Sequence, residues 1–413
     1  YQYDAASRLI QVAQAGLVVG LGYDNANRRT SLTYPNGTNM SYSYDNASRV
    51  TAITHNGPSG LMESLSYVYD AAGNRISLAR TNGTATNLPT AVQAAYDAAN
   101  EQVAFNSLPA TFDANGNQTT STDASGTTTY TWDARNRLVA QTGPGLSASF
   151  SYDALGRRIG KTINSVTTSY LYDGNDIVQE IGGSAVGASY VRSRKIDEPF
   201  VRQVSTGNEY YHTDALGSSL ALSNAAGATA VSYSYETFGK TTITGTSSNS
   251  FQYTGRENDG TGLYFYRARY YNAQLQRFTT EDPTRLRGGF NFYSYAENNP
   301  VFFTDPLGFN KQPQRMCELT QGRKVKVMIP CPDDGKLPSN IVPGPAPGPV
   351  CTVDSECFFT CVAIALPGAI ATVCGDCVLF GSAAPATCAV CAAVVSAGVS
   401  YTCKQLCQSC INC

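Results

Sequence analysis

The chain has 413 residues, 42% of them hydrophobic and 15% charged, with a formal net charge of −2. This apolar content and low mean charge exclude general disorder. The near balance of charge also excludes a whole-chain electrostatic grip on nucleic acid or anionic lipid.

The averages conceal a partition. All 13 cysteines lie between Cys317 and Cys413, and 25 of the 26 tyrosines lie before residue 310. The chain starts at Tyr1, inside a Tyr-x-Tyr-Asp motif that recurs later. This is expected of a piece of a longer precursor, so the lack of a signal peptide carries no information about secretion.

From the first residue an aromatic-Asp pair recurs: Tyr3-Asp4, Tyr23-Asp24, Tyr44-Asp45, Tyr69-Asp70, Tyr96-Asp97, Phe112-Asp113, Trp132-Asp133, Tyr152-Asp153 and Tyr172-Asp173. The Asp-to-Asp steps are 20, 21, 25, 27, 16, 20, 20 and 20. Residues before each pair alternate with period two, which predicts strands with one buried face. Residues after it are turn chemistry: the Asp carboxylate can satisfy nearby backbone amides, and Gly or Asn tolerates positive φ. Each unit is predicted to be a hairpin that cannot bury its own face, so that stacked units share a sheet. These residues resemble the YD-repeat (RHS repeat) family. The resemblance implies a mainly β fold, in which a hairpin strip over 1–205 spirals into a shell with tyrosines lining its wall.

From residue 206 the landmarks change. They run Tyr211-His-Thr-Asp214, Tyr253-Thr-Gly255-Arg256, Gly262-Leu-Tyr264-Phe-Tyr266-Arg-Ala-Arg269, Arg277-Phe-Thr-Thr-Glu-Asp282-Pro, Asn298-Asn299-Pro300 and Asp305-Pro306-Leu-Gly308-Phe309. Residues 206–309 are similar to the RHS repeat-associated core, which implies a plug at one end of the shell. In that family a pair of aspartates cuts the chain just after the core, in the pattern Asp-x-x-Gly followed by Asp-Pro-x-Gly-Leu. Asp282 and Asp305 match the two aspartates and Gly308 the last glycine, which implies an aspartyl self-cleavage after Phe309. Two carboxylates held close can divide the work of base and acid. Two positions depart from the pattern: Arg285 stands where the family has Gly, and Phe309 where it has Leu. A purely structural reading of both aspartates is turn capping.

Other residues carry plainer expectations. His55 and His212 are the only histidines, far apart in sequence and without Cys neighbours, so neither a metal site nor a triad is expected. Arg157-Arg158 and Arg267 with Arg269 either line a cavity or, more commonly, pair with carboxylates and stack on tyrosines. The Asn-x-Thr sites at Asn36 and Asn82 follow from composition.

Residues 310–350 are a linker, first basic (Lys311, Arg315, Arg323, Lys324, Lys326) and then the stiff Pro343-Gly-Pro-Ala-Pro-Gly-Pro349. Residues 351–413 hold Cys351, Cys357, Cys361, Cys374, Cys377, Cys388, Cys391, Cys403, Cys407, Cys410 and Cys413, with one charge, Asp376, between Cys357 and Cys403. The apolar runs are too short to span a membrane as a helix. A small, helical, disulfide-stapled domain is expected. A zinc or iron–sulfur site at Cys374, Cys377, Cys388 and Cys391 is the second reading, with no cofactor expected on the first. An intramolecular disulfide scheme for 13 cysteines leaves one unpaired. The texture resembles halocin C8-type bacteriocins, which implies a small hydrophobic toxin directed at a target-cell membrane.

Together these readings predict an RHS-type polymorphic toxin, secreted from a bacterium or archaeon. The missing N-terminal part of its precursor, an immunity protein and self-assembly are the expected partners, and no nucleic acid. The alternative is an extracellular structural or adhesive protein with an inert disulfide cap. Apart from self-cleavage no enzyme is expected, since no nucleophile–base pair is visible.

Overall fold

A computed structural model describes residues 1–82 and 92–309 in full, together with a few backbone strands beyond them. Two compact units divide the chain, Tyr1–Gly335 and Lys336–Cys413. In the second unit the described backbone is three short strands, Cys361–Leu366, Ala369–Cys374 and Ala393–Val395. The expected stapled domain and its cysteine chemistry otherwise lie outside the described residues.

The first unit is built from antiparallel meanders: within each sheet, strand order follows sequence order. Eight strands, from Gln2–Tyr3 to Arg75–Arg80, form one sheet. Sixteen more, from Ala94–Tyr96 to Thr241–Gly245, form a second. The second sheet runs unbroken through residue 206, so the last repeats and the first core landmarks share one hydrogen-bonded ladder.

The unit repeats because its turn is a clasp. Asp24 Oδ1 accepts the main-chain N–H groups of Ala26 and Arg28, each at 2.9 Å, and Oδ2 accepts Arg28 Nε at 2.7 Å. The Arg28 guanidinium then stands 4.8 Å from the Tyr44 ring of the next unit. Tyr44 in turn donates its phenol to the Arg29 carbonyl at 2.7 Å. The same stack joins Arg8 to Tyr23, Arg49 to Tyr69, Arg137 to Tyr152 and Arg157 to Tyr172. Register shifts beside Tyr23, Tyr44, Tyr69, Tyr152 and Tyr172 re-aim the strand at each clasp. Repeat spacing is thus the distance between one Asp–Arg turn and the tyrosine it stacks on.

The two sheets separate between the Asp70 and Asp97 turns, both of which lack the arginine clasp. Asn74 replaces the arginine of the Asp70 turn and bonds Asp70 Oδ2 at 2.9 Å. At the Asp97 turn Glu101 takes its place, and burial together with the Asp97 charge pushes the Glu101 carboxyl up. These two turns bound the step of 27 residues; the Asp113 turn also carries an asparagine, Asn117, in place of arginine, and its sheet continues across it.

The two sheets pack through one apolar cluster. Val19, Leu32, Met40, Ile53 and Leu65 of the first meet Val191, Phe200, Val201, Tyr210 and Leu220 of the second. Arg29 crosses the same interface to Glu198 at 2.6 Å. Burial alone would raise the Glu198 carboxyl, but the Arg29 charge beside it holds it down to about 2.

Candidate active site

After Gly245 the chain leaves the long sheet and forms a four-stranded one: Glu257–Asn258, Tyr264–Tyr266, Arg269–Asn272 and Arg277–Phe278. Its apolar face seats Leu263, Phe265 and Tyr270 on Tyr130, Leu138 and Phe150 of the long sheet. A buried charge cluster locks the joint. Arg158, fully buried, reaches Glu257 at 2.7 Å and Asp259, and Lys161 joins Asp259 at 3.0 Å. Of the two adjacent arginines, Arg157 forms a surface clasp and Arg158 this internal one; they pair and stack, and do not line an open cavity.

The tight turn between Tyr266 and Arg269 aims two arginines at the segment 305–309. Arg267 sits at a φ of 57°. Its guanidinium pairs with Asp197 at 2.7 Å and Asp176 at 3.0 Å, and donates to the Pro306 carbonyl. Ala268 N–H bonds the Leu307 carbonyl at 3.2 Å. Gly308 lies against this turn at a φ of 70°, so close that an added Cβ would collide with the Tyr266 carbonyl oxygen. Only glycine fits both demands.

Arg269 joins the two predicted aspartates. Its Nη2 is 2.8 Å from Asp282 Oδ2 and 3.1 Å from Asp305 Oδ2. Nε donates to the Gly308 carbonyl at 2.6 Å and Nη1 to the Phe292 carbonyl at 2.9 Å. The guanidinium carbon also lies 3.6 Å from the Phe278 ring centroid. All three charged residues are no more than 3% exposed. Burial pushes the guanidinium below its ordinary value against the pull of Asp305 and Asp282. Arginine starts so high that it stays charged.

Phe309 is held between the same carboxylates. Its N–H donates to Asp305 Oδ1 at 3.0 Å. Its carbonyl oxygen is 3.4 Å from Thr284 Oγ1, which is itself 2.5 Å from Asp282 Oδ1. Residues 23 apart in sequence therefore converge on Phe309, Asp305 on the peptide that precedes it and Asp282, through Thr284, on the carbonyl of the peptide that follows it. Arg285, where the compared pattern has Gly, adopts a φ of 53°, and its N–H closes the turn on the Asp282 carbonyl at 2.9 Å. The departure in residue type leaves the left-handed backbone in place, at about 1 kcal/mol of strain.

Sequence reasoning located Asp282, Asp305 and Phe309 but assigned neither Arg269 nor Thr284 a place here. The signal for Arg269 was its pairing with Arg267 across a two-residue turn; Thr284 had none beyond lying two residues after Asp282. His55 and His212, distant in sequence, meet in the interface of the two sheets. A separate cavity of about 320 Å³, lined in part by Leu65, Arg75, Asp214, Tyr235 and Tyr253, includes neither aspartate. Among the described residues no cluster of three or more His, Cys, Asp and Glu side chains is arranged for a metal. The four-cysteine alternative lies outside them.

Comparison with known proteins agrees with this architecture. The Teneurin YD-shell family model matches residues 36–301, and the RHS Repeat model matches residues 3–39. The tRNA nuclease WapA of Bacillus subtilis is 37% identical over 108 residues, 24% of this chain and 5% of that protein. Toxin subunit YenC2 of Yersinia entomophaga is 41% identical over 63 residues, 15% of this chain and 6% of that protein. Double-stranded DNA deaminase toxin A of Burkholderia cenocepacia is 33% identical over 106 residues, 24% of this chain and 7% of that protein. The chain thus spans less than a tenth of the length of these curated relatives. A crystal structure of TcdB2-TccC3-Cdc42 superposes with a TM-score of 0.56 at 18% identity, covering 75% of this chain and 20% of that one. At that identity the likeness is one of fold.

Proposed function

Since this chain belongs to the Teneurin YD-shell family, we propose that it is part of an RHS-type polymorphic toxin. In this reading the β-shell encloses or presents residues 351–413, a cysteine-rich, bacteriocin-like effector joined through the 310–350 linker and used between competing microbes outside the producing cell. The relatives that carry the word toxin or nuclease in their names support the toxin class. The observation that carries the reading is the convergence of Asp282, Asp305 and Arg269 on Phe309, at the border between the tyrosine-rich and cysteine-rich halves.

Hydrolysis after Phe309 separates the two halves. One aspartate, as the carboxylate, takes a proton from water, and the other, as the neutral carboxylic acid, gives one to the departing nitrogen. Arg269 holds both in place and offsets part of their charge. The rest of the precursor, an immunity protein and a target membrane are the partners this function requires.

Denaturing gel electrophoresis of the expressed chain tests the reading. Two bands, collapsing to one in Asp305→Asn, are expected; one full-length band in both sinks self-cleavage. An adhesive shell with an inert cap is the competing function. It is favoured if residues 351–413, expressed in an oxidising compartment, leave growth and membrane potential unchanged.

A further inference from the structure

We propose that Thr284 is a catalytic residue of the cut after Phe309, its hydroxyl donating to the oxygen of the scissile carbonyl. This rests on the self-cleavage reading above.

The Thr284 hydroxyl lies within reach of a carboxylate and of the Phe309 carbonyl. Thr284 Oγ1 lies 2.5 Å from Asp282 Oδ1 and 3.4 Å from the Phe309 carbonyl oxygen. A hydroxyl has a single proton, so it serves one of these at a time. In the resting arrangement the shorter contact holds it on Asp282. Asp282 Oδ1 does not depend on it, because the main-chain N–H of Thr284 donates to the same oxygen at 2.8 Å. Rotation about one side-chain bond therefore moves the proton onto Phe309 without stranding the buried carboxylate.

The rest of the residue is fixed for this task. Thr284 has φ of −84° and ψ of −7°, in the turn that Arg285 closes on the Asp282 carbonyl. The Phe309 side is fixed by Asp305 Oδ1 on its N–H and by Arg269 on the Gly308 carbonyl. Donor and acceptor thus belong to two rigid turns tied to the same arginine. A neutral donor aimed at an oxygen that gains charge stabilises the transition state more than the ground state.

The step balances with water as the second reactant. Water adds to the Phe309 carbonyl carbon while one carboxylate takes its proton. The carbonyl electron pair moves onto oxygen, where the Thr284 hydroxyl donates. The carbonyl then reforms, the bond to Asn310 breaks, and the Asn310 nitrogen takes a proton from the other carboxyl group. The products are a Phe309 carboxylate and an Asn310 amine.

The test follows cleavage of the full chain during cell-free synthesis, by denaturing gel, for the native protein, Thr284→Val and Thr284→Ser. Valine keeps the shape and removes the proton; serine keeps the proton. Loss of one oxyanion donor predicts a rate about 100-fold lower in the valine variant, with the serine variant close to native. Limited proteolysis of each product checks that the variants fold alike. Cleavage of Thr284→Val at the native rate overturns the proposal while leaving self-cleavage standing, as does a serine variant as slow as valine. A native chain that is never cut overturns both.

Discussion

The imidazoles of His55 and His212 meet edge to face, 5.5 Å between ring centroids, in the interface between the two sheets. Both are at most 1% exposed. His212 Nε2 pairs with Ser223 Oγ at 2.9 Å, whereas neither ring nitrogen of His55 has a hydrogen-bond partner among the described residues. Tyr34 packs against His212, and the Arg80 charge faces His55. Burial pushes His55 well below its ordinary value, helped by His212 and Arg80, and burial holds His212 down to about 4.

The unfolded chain therefore binds these protons first as pH falls. The stability is present above about pH 6.5 and is lost between there and about pH 4, where folded His212 titrates. From pH 7 to 5 the His212 contribution falls by about 2 kcal/mol. Denaturant titrations at the two pH values should show this excess loss in the native protein relative to His212→Phe. Equal losses would contradict it.

Neighbouring arginines give a second prediction. Arg157 forms an exposed clasp with Asp153, whereas the Arg158 side chain has no exposure and pairs with Glu257 and Asp259. Arg157→Ala should cost about 0.5–1 kcal/mol, the value of a surface pair plus its stack on Tyr172. Arg158→Met should cost about 3–5 kcal/mol, because it leaves buried carboxylates short of a cation. Equilibrium denaturation of the two variants measures the difference directly.

Two backbone positions of the site behave oppositely. Gly308→Ala adds a Cβ against the Tyr266 carbonyl at positive φ. It should unseat residues 305–309, cost about 2 kcal/mol or more, and abolish the cut. Arg285→Gly relieves strain at a φ of 53° but loosens the unfolded chain. It should change stability by no more than about 1 kcal/mol and preserve cleavage. Denaturation and gel analysis read both effects.

The parts of this molecule legible in its sequence are those made by neighbours. The Asp24 turn, the Arg28 clasp and the Tyr44 that receives it lie within one repeat length, so spacing alone predicts meandering hairpins. Asp282 and Asp305 were legible through their motif. The contacts that were not legible join distant segments: His55 to His212, Arg158 to Glu257, and Arg269 to both aspartates. Each depends on which faces of two sheets are pressed together, and strand periodicity carries no record of that. The division of the strip after Arg80 was not legible either: the Asp113 turn also lacks the arginine, with Asn117 in its place, and does not interrupt its sheet.

Asp282 and Asp305, held by Arg269 beside Phe309, are proposed to cut the chain after that residue. Intact mass measurement of the unreduced, denatured chain tests this most directly. Self-cleavage gives two masses, those of residues 1–309 and 310–413, merging into one in Asp305→Asn. A single mass for the uncut chain, the same with and without that substitution, would contradict it.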